Sequence, residues 1–349
     1  RLFFAAAMGL YPNRHVADAA FSVVVDGGTP GARQISVHAS RRAPTDRSDA
    51  NEVGPIRVEV LEPLHALRLV VEAPEQGVRA DLTFVRRSAP IEEPHFHHEV
   101  GFRVLLDYTR LTQFGGWEGW IEIDGETTDL GPGETLGCRD RSWGVRPIGE
   151  RAATGAPVAD PQYFWLWAPI NFDTFSTHFD VNELFDGTRW HETGFVAPVA
   201  GPDGPVPAEV MQTVGYEVEW EPGTRRATSF SITLTPAIGE PTVVELEPLF
   251  DFHMSGLGYL HPEWAHGVWK GELAVDGERQ VLPVDDPTDP RNVHVQSIVR
   301  ATTRGGLGEH DGIGILEQHA IGRHTPTGLE GTFDGYTPSC LLYTSDSAD

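Results

Sequence analysis

Trp117-Glu-Gly-Trp-Ile-Glu-Ile-Asp-Gly-Glu126 returns 152 positions later as Trp269-Lys-Gly-Glu-Leu-Ala-Val-Asp-Gly-Glu278, with five identities and two aliphatic exchanges. In an extended strand alternate residues share a face. Trp117, Gly119, Ile121 and Ile123 then form one row, and Trp269, Gly271, Leu273 and Val275 form its counterpart. The opposite rows are mostly polar, and an Asp-Gly turn is expected after each copy. A repeated half-buried strand of this kind predicts an all-β chain made of two similar units.

Outward from the repeat, short alternating or apolar runs recur, among them Phe21–Asp26, Ala80–Val85, Tyr163–Pro169, Ser229–Thr235 and Gly314–Ile321. Asp26-Gly27, Asp124-Gly125, Asp186-Gly187 and Asp276-Gly277 punctuate them. Gly (38) and Pro (27) are spread along the chain and disfavour long helices. Many short strands at this spacing read as antiparallel β-barrels or sandwiches. A boundary is expected near the Gly/Ala/Pro-rich stretch 149–161. That divides the chain into an N-terminal barrel (1–150) and a C-terminal barrel (151–338). Arg1-Leu-Phe-Phe-Ala-Ala-Ala-Met8 is followed by no A-x-A-like cleavage site, so it reads as a strand of a truncated fragment. Residues 339–349, ending in Leu-Leu-Tyr-Thr-Ser-Asp-Ser-Ala-Asp349, read as an artefactual tail and are set aside.

Composition limits the function classes. With 26 basic and 51 acidic groups the formal charge is −25, the wrong sign for a nucleic-acid binder. No apolar run is long enough to span a membrane. Two cysteines, Cys138 and Cys340, give no disulfide framework and point to a reducing, cytoplasmic setting. The oligomeric state is not readable.

Two segments are dense in chemistry. Gly137-Cys-Arg-Asp-Arg-Ser-Trp-Gly-Val-Arg-Pro147 sets Asp140 between Arg139 and Arg141, beside Trp143. As a strand it places Asp140, Ser142 and Gly144 on one face, with Arg139, Arg141, Trp143 and Val145 on the other. Asp140 is expected to stay ionised beside two arginines unless desolvation wins. The segment is either an Arg–Asp bracket between domains or a polar anchor at a ligand mouth. Gly256-Leu-Gly-Tyr-Leu-His-Pro-Glu-Trp-Ala-His-Gly-Val-Trp269 brings together Tyr259, His261, Glu263, Trp264 and His266. Pro262 and the glycines make it a loop, where function tends to reside. A Glu among aromatics can act as a proton donor, and His is the other natural carrier. Equally, these groups could satisfy loop backbone.

Other constellations fail. There is no Gly-x-Ser-x-Gly elbow and no phosphate loop, and Gly312-Ile-Gly314 lacks a third glycine. His261-Pro-Glu263…His266 has the wrong spacing for a helical zinc site. His95-Phe-His97-His98-Glu99 resembles a cupin metal strand but lacks its later acid. The reading is therefore no metal and no cofactor. Glu317-Gln318-His319 are strand polar groups, of which Gln318 is a candidate ligand contact.

Tyr11-Pro-Asn-Arg-His15, the first copy of the repeat, the segment 137–147, Gly258-Tyr-Leu-His-Pro-Glu-Trp-Ala-His-Gly267 and Gly312-Ile-Gly-Ile-Leu-Glu-Gln318 together resemble one family. It is the hydroxyneurosporene-synthase-like or AttH-like family, in the superfamily of the carotenoid 1,2-hydratases. The resemblance spans about residues 8–336, and Arg139-Asp-Arg-Ser-Trp-Gly144 is its most specific part. It implies two lipocalin-like barrels side by side, with a ligand space in or between them. It also implies cofactor-free chemistry on terpenoid-like substrates. The catalytic acid of the hydratases has no assignable counterpart here.

Two functions stay open. One is a cofactor-independent enzyme, such as a hydro-lyase hydrating an alkene, acting on a terpenoid-, steroid- or polyketide-like molecule. Its acid would be Glu263 or Asp140, with His261 or His266 positioning water and Trp143, Trp264 and Tyr259 lining the cavity. Arg139, Arg141 and Gln318 would contact ligand. The other is a lipocalin-like carrier of a hydrophobic ligand, without chemistry. A metal-dependent oxygenase or isomerase is a weaker third.

Overall fold

The computed structural model describes residues 1–46, 51–148 and 161–338. The expected boundary at 149–160 and the tail lie outside them. Among the described residues the elements are β-strands and short 3-10 turns. The chain opens with β1 (Phe3–Tyr11), β2 (Val16–Val25) and β3 (Arg33–Arg42), an antiparallel meander. It continues through β4 (Glu52–Val53), β5 (Ile56–Glu62), β6 (Ala66–Ala73), β7 (Val78–Arg86), β8 (Ile91–Glu92) and β9 (Phe96–Val100) into two long strands. These are β10 (Arg103–Ile123) and β11 (Glu126–Val145). Strands β4 to β11 form a second sheet, ordered β11-β10-β7-β6-β5-β4, with β8 and β9 added along β10.

The alternation that predicts strands is visible in β7, where Val78, Ala80, Leu82 and Phe84 point inward and the residues between them do not. Val78, Ala80 and Leu82 pack with Phe21, Val23, Ile35 and Val37 of the first sheet and with Ile121 and Ile123 of β10, giving the first core. Gly119 sits at a register break in β10 with φ +127°, where a Cβ would lie 2.0 Å from the Asp81 carbonyl oxygen. Only glycine serves there. Asp124 and Gly125, both at positive φ, make the expected hairpin turn.

The second half contains β12 (Tyr163–Phe172), β13 (Phe175–Glu183), β14 (Arg189–Pro198), β15 (Glu209–Val210), β16 (Thr213–Trp220), β17 (Ala227–Thr235) and β18 (Thr242–His253). After β19 (Leu273–Val281) come β20 (His294–Gly305) and β21 (Asp311–Ile321). Nine of these strands form one sheet, β15-β14-β13-β12-β21-β20-β18-β17-β16. Its edges approach each other. The Met211 N–H donates to the Gly194 carbonyl at 2.9 Å, and Arg189 Nη1 donates to the Val214 carbonyl at 2.6 Å. The concave side is filled by Phe164, Leu166, Phe179, Phe230, Leu316 and their neighbours. The protein is thus all-β, with two curled, partly open sheet units resembling half-barrels.

β19 corrects the reading of the repeat. It pairs with β3 along its whole length, Leu273 opposite Arg41 through Val281 opposite Arg33. Asp276-Gly277, expected as a turn, lies inside this strand opposite His38 and Val37. The first copy bends where the ladder with β7 stops at Ile123 opposite Val78, with one further bond from the Asp124 N–H to the Gly77 carbonyl at 2.9 Å. The second stays straight because β3 offers a full row of ladder partners.

Strand β13 is buried throughout, since the outer face of the nine-stranded sheet is covered as well. That outer face rests on the first half through Ala20, Val24, Trp167, Phe252, Leu257, Ile298 and Ile315. It is this seam that concentrates polar side chains.

Candidate functional site

Register carries one polar row across the second sheet. Asp180 of β13 lies opposite Trp167 of β12, which lies opposite Glu317 of β21, which lies opposite Gln296 of β20. One step along, Trp165, His319 and His294 are likewise aligned. All face the seam. The intervening residues face the filled core, including Gln318, whose Oε1 accepts the Ala227 N–H at 2.6 Å and whose Nε2 donates to Ser297 Oγ at 2.9 Å.

From the other side β10 and β11 present Tyr108, Arg110, Thr112, Cys138, Asp140 and Ser142. Arg110 crosses the seam. Its Nε and Nη2 donate to the two oxygens of Glu93 at 2.8 and 2.6 Å, and Nη2 also donates to Asp180. Trp165 Nε1 donates to the other Asp180 oxygen at 3.0 Å. Burial opposes the charge on Glu93, but Arg110 overcomes it and holds the carboxyl below the usual range. Asp180, for which burial prevails over Arg110, is pushed up to about 6. The bracket between the halves expected from Arg139, Asp140 and Arg141 is in fact made by Arg110.

Asp140 is placed differently from its expected setting. Strand alternation sends Arg139 to Gln113 and the face of Phe84, away from Asp140. The cations near Asp140 are Arg110 and Arg146, and burial outweighs them, so its carboxyl rises above the ordinary range. Yet the Asp140 side chain is solvent-accessible. It therefore stands at the margin of the seam. Arg146 lies beside it. Its Nη1 donates to Ser142 Oγ at 2.9 Å, its guanidinium stands 5.1 Å from the centre of the Tyr108 ring, and it is hydrogen-bonded to Tyr259. Tyr163 is also within its electrostatic reach.

Facing them, His294 Nε2 is 2.6 Å from Glu317 Oε1, and Gln296 donates to Oε2 at 2.7 Å. Burial pushes the Glu317 carboxyl up to about 7 and pulls His294 down to about 3. Below about pH 7 the pair is therefore neutral, with its proton on Glu317. The His294 ring stacks on His319 at 3.9 Å and meets the edge of Tyr259 at 5.0 Å. His294 Nδ1 has no hydrogen-bond partner among the described residues.

The remaining sequence-derived candidates are distributed. Tyr259 stands at the seam and touches His266 edge-on at 4.5 Å. His266 is within 3.8 Å of Asp18, which accepts the Gly267 N–H at 2.7 Å, while Arg14 Nε donates to the Gly267 carbonyl at 2.8 Å. These contacts clamp the 256–269 loop onto the first sheet. Glu263 points to solvent, 3.8 Å from Lys270. His261 lies apart from Asp140, beside Glu278 and His38. Trp264 stacks on His38 under the Lys270 ammonium. Trp143 is exposed on the far face of β11, as is Arg141. Glu317, His294 and Arg146 are the residues that sequence reasoning missed. Glu317 and His294 show only as polar residues at alternate strand positions, which a water-facing strand shares, whereas Arg146 lies within the segment 137–147 already singled out.

Two clusters bring potential metal ligands within 4.8 Å of one another. In Glu93, Asp180 and His191 the Arg110 guanidinium already supplies the positive charge. In His38, His261 and Glu278, His261 Nδ1 accepts the N–H groups of Glu263 and Trp264 at 3.0 and 2.8 Å. That leaves the proton on Nε2, directed at Glu278 3.3 Å away, so this nitrogen has no lone pair for a metal. Neither donor set suits a cation. Among the described residues no helix is long and apolar enough to cross a membrane.

The fold is similar to that of kievitone hydratase from Nectria haematococca, with a TM-score of 0.50 at 10% identity over 91% of this chain and 88% of that one. A putative AttH from Nitrosomonas europaea aligns with a TM-score of 0.45 at 13% identity, covering 90% and 91%. No curated protein matches the chain. A family model does match, over residues 1–330, and the chain belongs to the family of unknown function DUF8625.

Proposed function

We propose that the chain is a cofactor-independent enzyme that adds water to, or removes it from, a carbon–carbon bond of a hydrophobic terpenoid-, steroid- or polyketide-like molecule. The observation that carries this reading is the Glu317–His294 pair, a carboxylic acid with its pKa raised to about 7, set 2.6 Å from a neutral imidazole at the seam. A proton donor for such chemistry is most effective when its pKa lies near the working pH. Glu317 supplies the proton, His294 passes it on, and Asp140 on the opposite wall serves the water. The apolar side chains Trp167, Phe252 and Leu257 flank the seam that holds these groups. Kievitone hydratase, by its name, runs a hydration on a similar fold, which favours this chemistry over a carrier role.

The test is incubation with terpenoid- and polyketide-like alkenes in heavy-oxygen water, read by mass spectrometry. Uptake of one labelled water by wild type, lost in Glu317→Gln and in Asp140→Asn, supports the reading. Saturable binding of the same alkenes with no label uptake would make the protein a carrier.

A further inference from the structure

Resting on that reading, the charge of the site narrows the substrate. We propose that the site takes an apolar molecule whose reacting double bond is conjugated to a carbonyl, with Arg146 and Tyr259 receiving the carbonyl oxygen as it becomes an enolate.

The argument begins with which cations are already satisfied. Arg110 spends its charge on Glu93 and Asp180. Arg146 is solvent-exposed and meets no carboxylate within ion-pair distance among the described residues. Its neighbours are a serine hydroxyl, the phenols of Tyr108, Tyr163 and Tyr259, and, beyond ion-pair distance, Asp140. A guanidinium with no direct carboxylate partner among the described residues, set among hydroxyl donors, is suited to a developing oxyanion.

The alternative, protonation of an isolated alkene to a carbocation, needs aromatic faces free to stabilise positive charge. Here those faces are taken. Arg110 lies 4.8 Å from the ring centre of Phe96, 5.5 Å from Trp165 and 5.6 Å from Trp167, and Arg146 covers Tyr108. A carbocation at this site would face the Arg146 cation. An enolate would face the same charge with the opposite sign of energy.

The steps balance. Water oxygen bonds to the β-carbon and its proton passes to the Asp140 carboxylate. The π pair of the double bond moves through the α-carbon onto the carbonyl oxygen held by Arg146. The enolate then collapses as the α-carbon takes a proton from His294 Nδ1, which Glu317 replaces through Nε2. Asp140 ends protonated and Glu317 ionised, and proton exchange with solvent restores both. The reverse sequence dehydrates a β-hydroxy carbonyl compound.

The test uses para-nitrophenol, a flat phenol whose ionisation is read from its colour. Wild type should bind the phenolate in preference to the phenol by about tenfold or more, lowering the ionisation midpoint of the bound probe. Arg146→Gln should abolish that preference, while Arg146→Lys should keep part of it. Unchanged circular dichroism would show that both variants fold. Binding as the neutral phenol, equal binding of both forms, no binding, or a preference that survives Arg146→Gln would each overturn the inference. The two readings separate cleanly. Heavy-oxygen uptake by isolated alkenes with exclusion of the phenolate sinks the conjugated-substrate inference alone. Phenolate preference without uptake by any alkene sinks the hydration reading alone.

Discussion

Replacing Glu317 by Gln offers a test that needs no substrate. The carboxyl is 3% exposed and is raised from the ordinary 4.5 to about 7, chiefly by burial. At about 1.36 kcal/mol per pH unit, this is about 3 kcal/mol of proton-linked stability. The sign follows from which state binds the proton more tightly. Here it is the folded chain, so the contribution is complete below pH 4.5, drains as pH rises toward 7, and is gone above. Gln is isosteric, can accept from Gln296 through its oxygen and donate to His294 through its amide, and does not titrate. Urea unfolding of wild type and variant between pH 4.5 and 8.5 should therefore give curves whose difference changes by about 3 kcal/mol, with the variant the more stable partner at high pH. His294, held near 3 by burial, loses stability in the opposite direction, as pH falls below about 6.5, in both proteins. Its effect largely cancels in the difference. Parallel wild-type and variant curves would mean that Glu317 is an ordinary carboxylate, and the proton-donor argument would fall with it.

Arg110→Met leaves Glu93 and Asp180 buried without their cation, and a loss of about 3–5 kcal/mol in urea unfolding is expected. Glu263→Gln, by contrast, alters an exposed carboxylate with one loose partner, so thermal stability should move by less than about 1 kcal/mol and label uptake should be unchanged. Arg225, 2% exposed, donates to the carbonyls of Ala320, Gly322, Glu330, Gly331 and Asp334. Arg225→Ala should cost about 3 kcal/mol or more and open the segment after β21 to limited proteolysis. Adding a chelator should leave the melting temperature unchanged, because His261 directs a proton rather than a lone pair at Glu278.

What the sequence made readable was local. The alternation within Trp117–Ile123, the turn at Asp124-Gly125 and the two faces of the 137–147 strand all depend on neighbours a few residues apart. Tyr259 and Asp140 also emerge at the seam. The rest depends on pairing over long separations. His294 meets Glu317 because β20 and β21 share a register, and Arg110 meets Asp180 because two sheets stack. A polar residue on a strand gives no sign of whether it faces water or a second sheet. For the same reason the surroundings of Asp140 are not legible from its chain neighbours, which alternation turns away from it.

The position of β19 bears on how the chain is made. Arg33 waits for Val281, 248 positions later, before the edge of its sheet is capped. During synthesis the N-terminal portion leaves the ribosome with that edge bare, a template for unwanted strand addition. A gene fragment cut after the long hairpin should aggregate, and supplying residues 273–281 as a separate peptide should rescue its solubility.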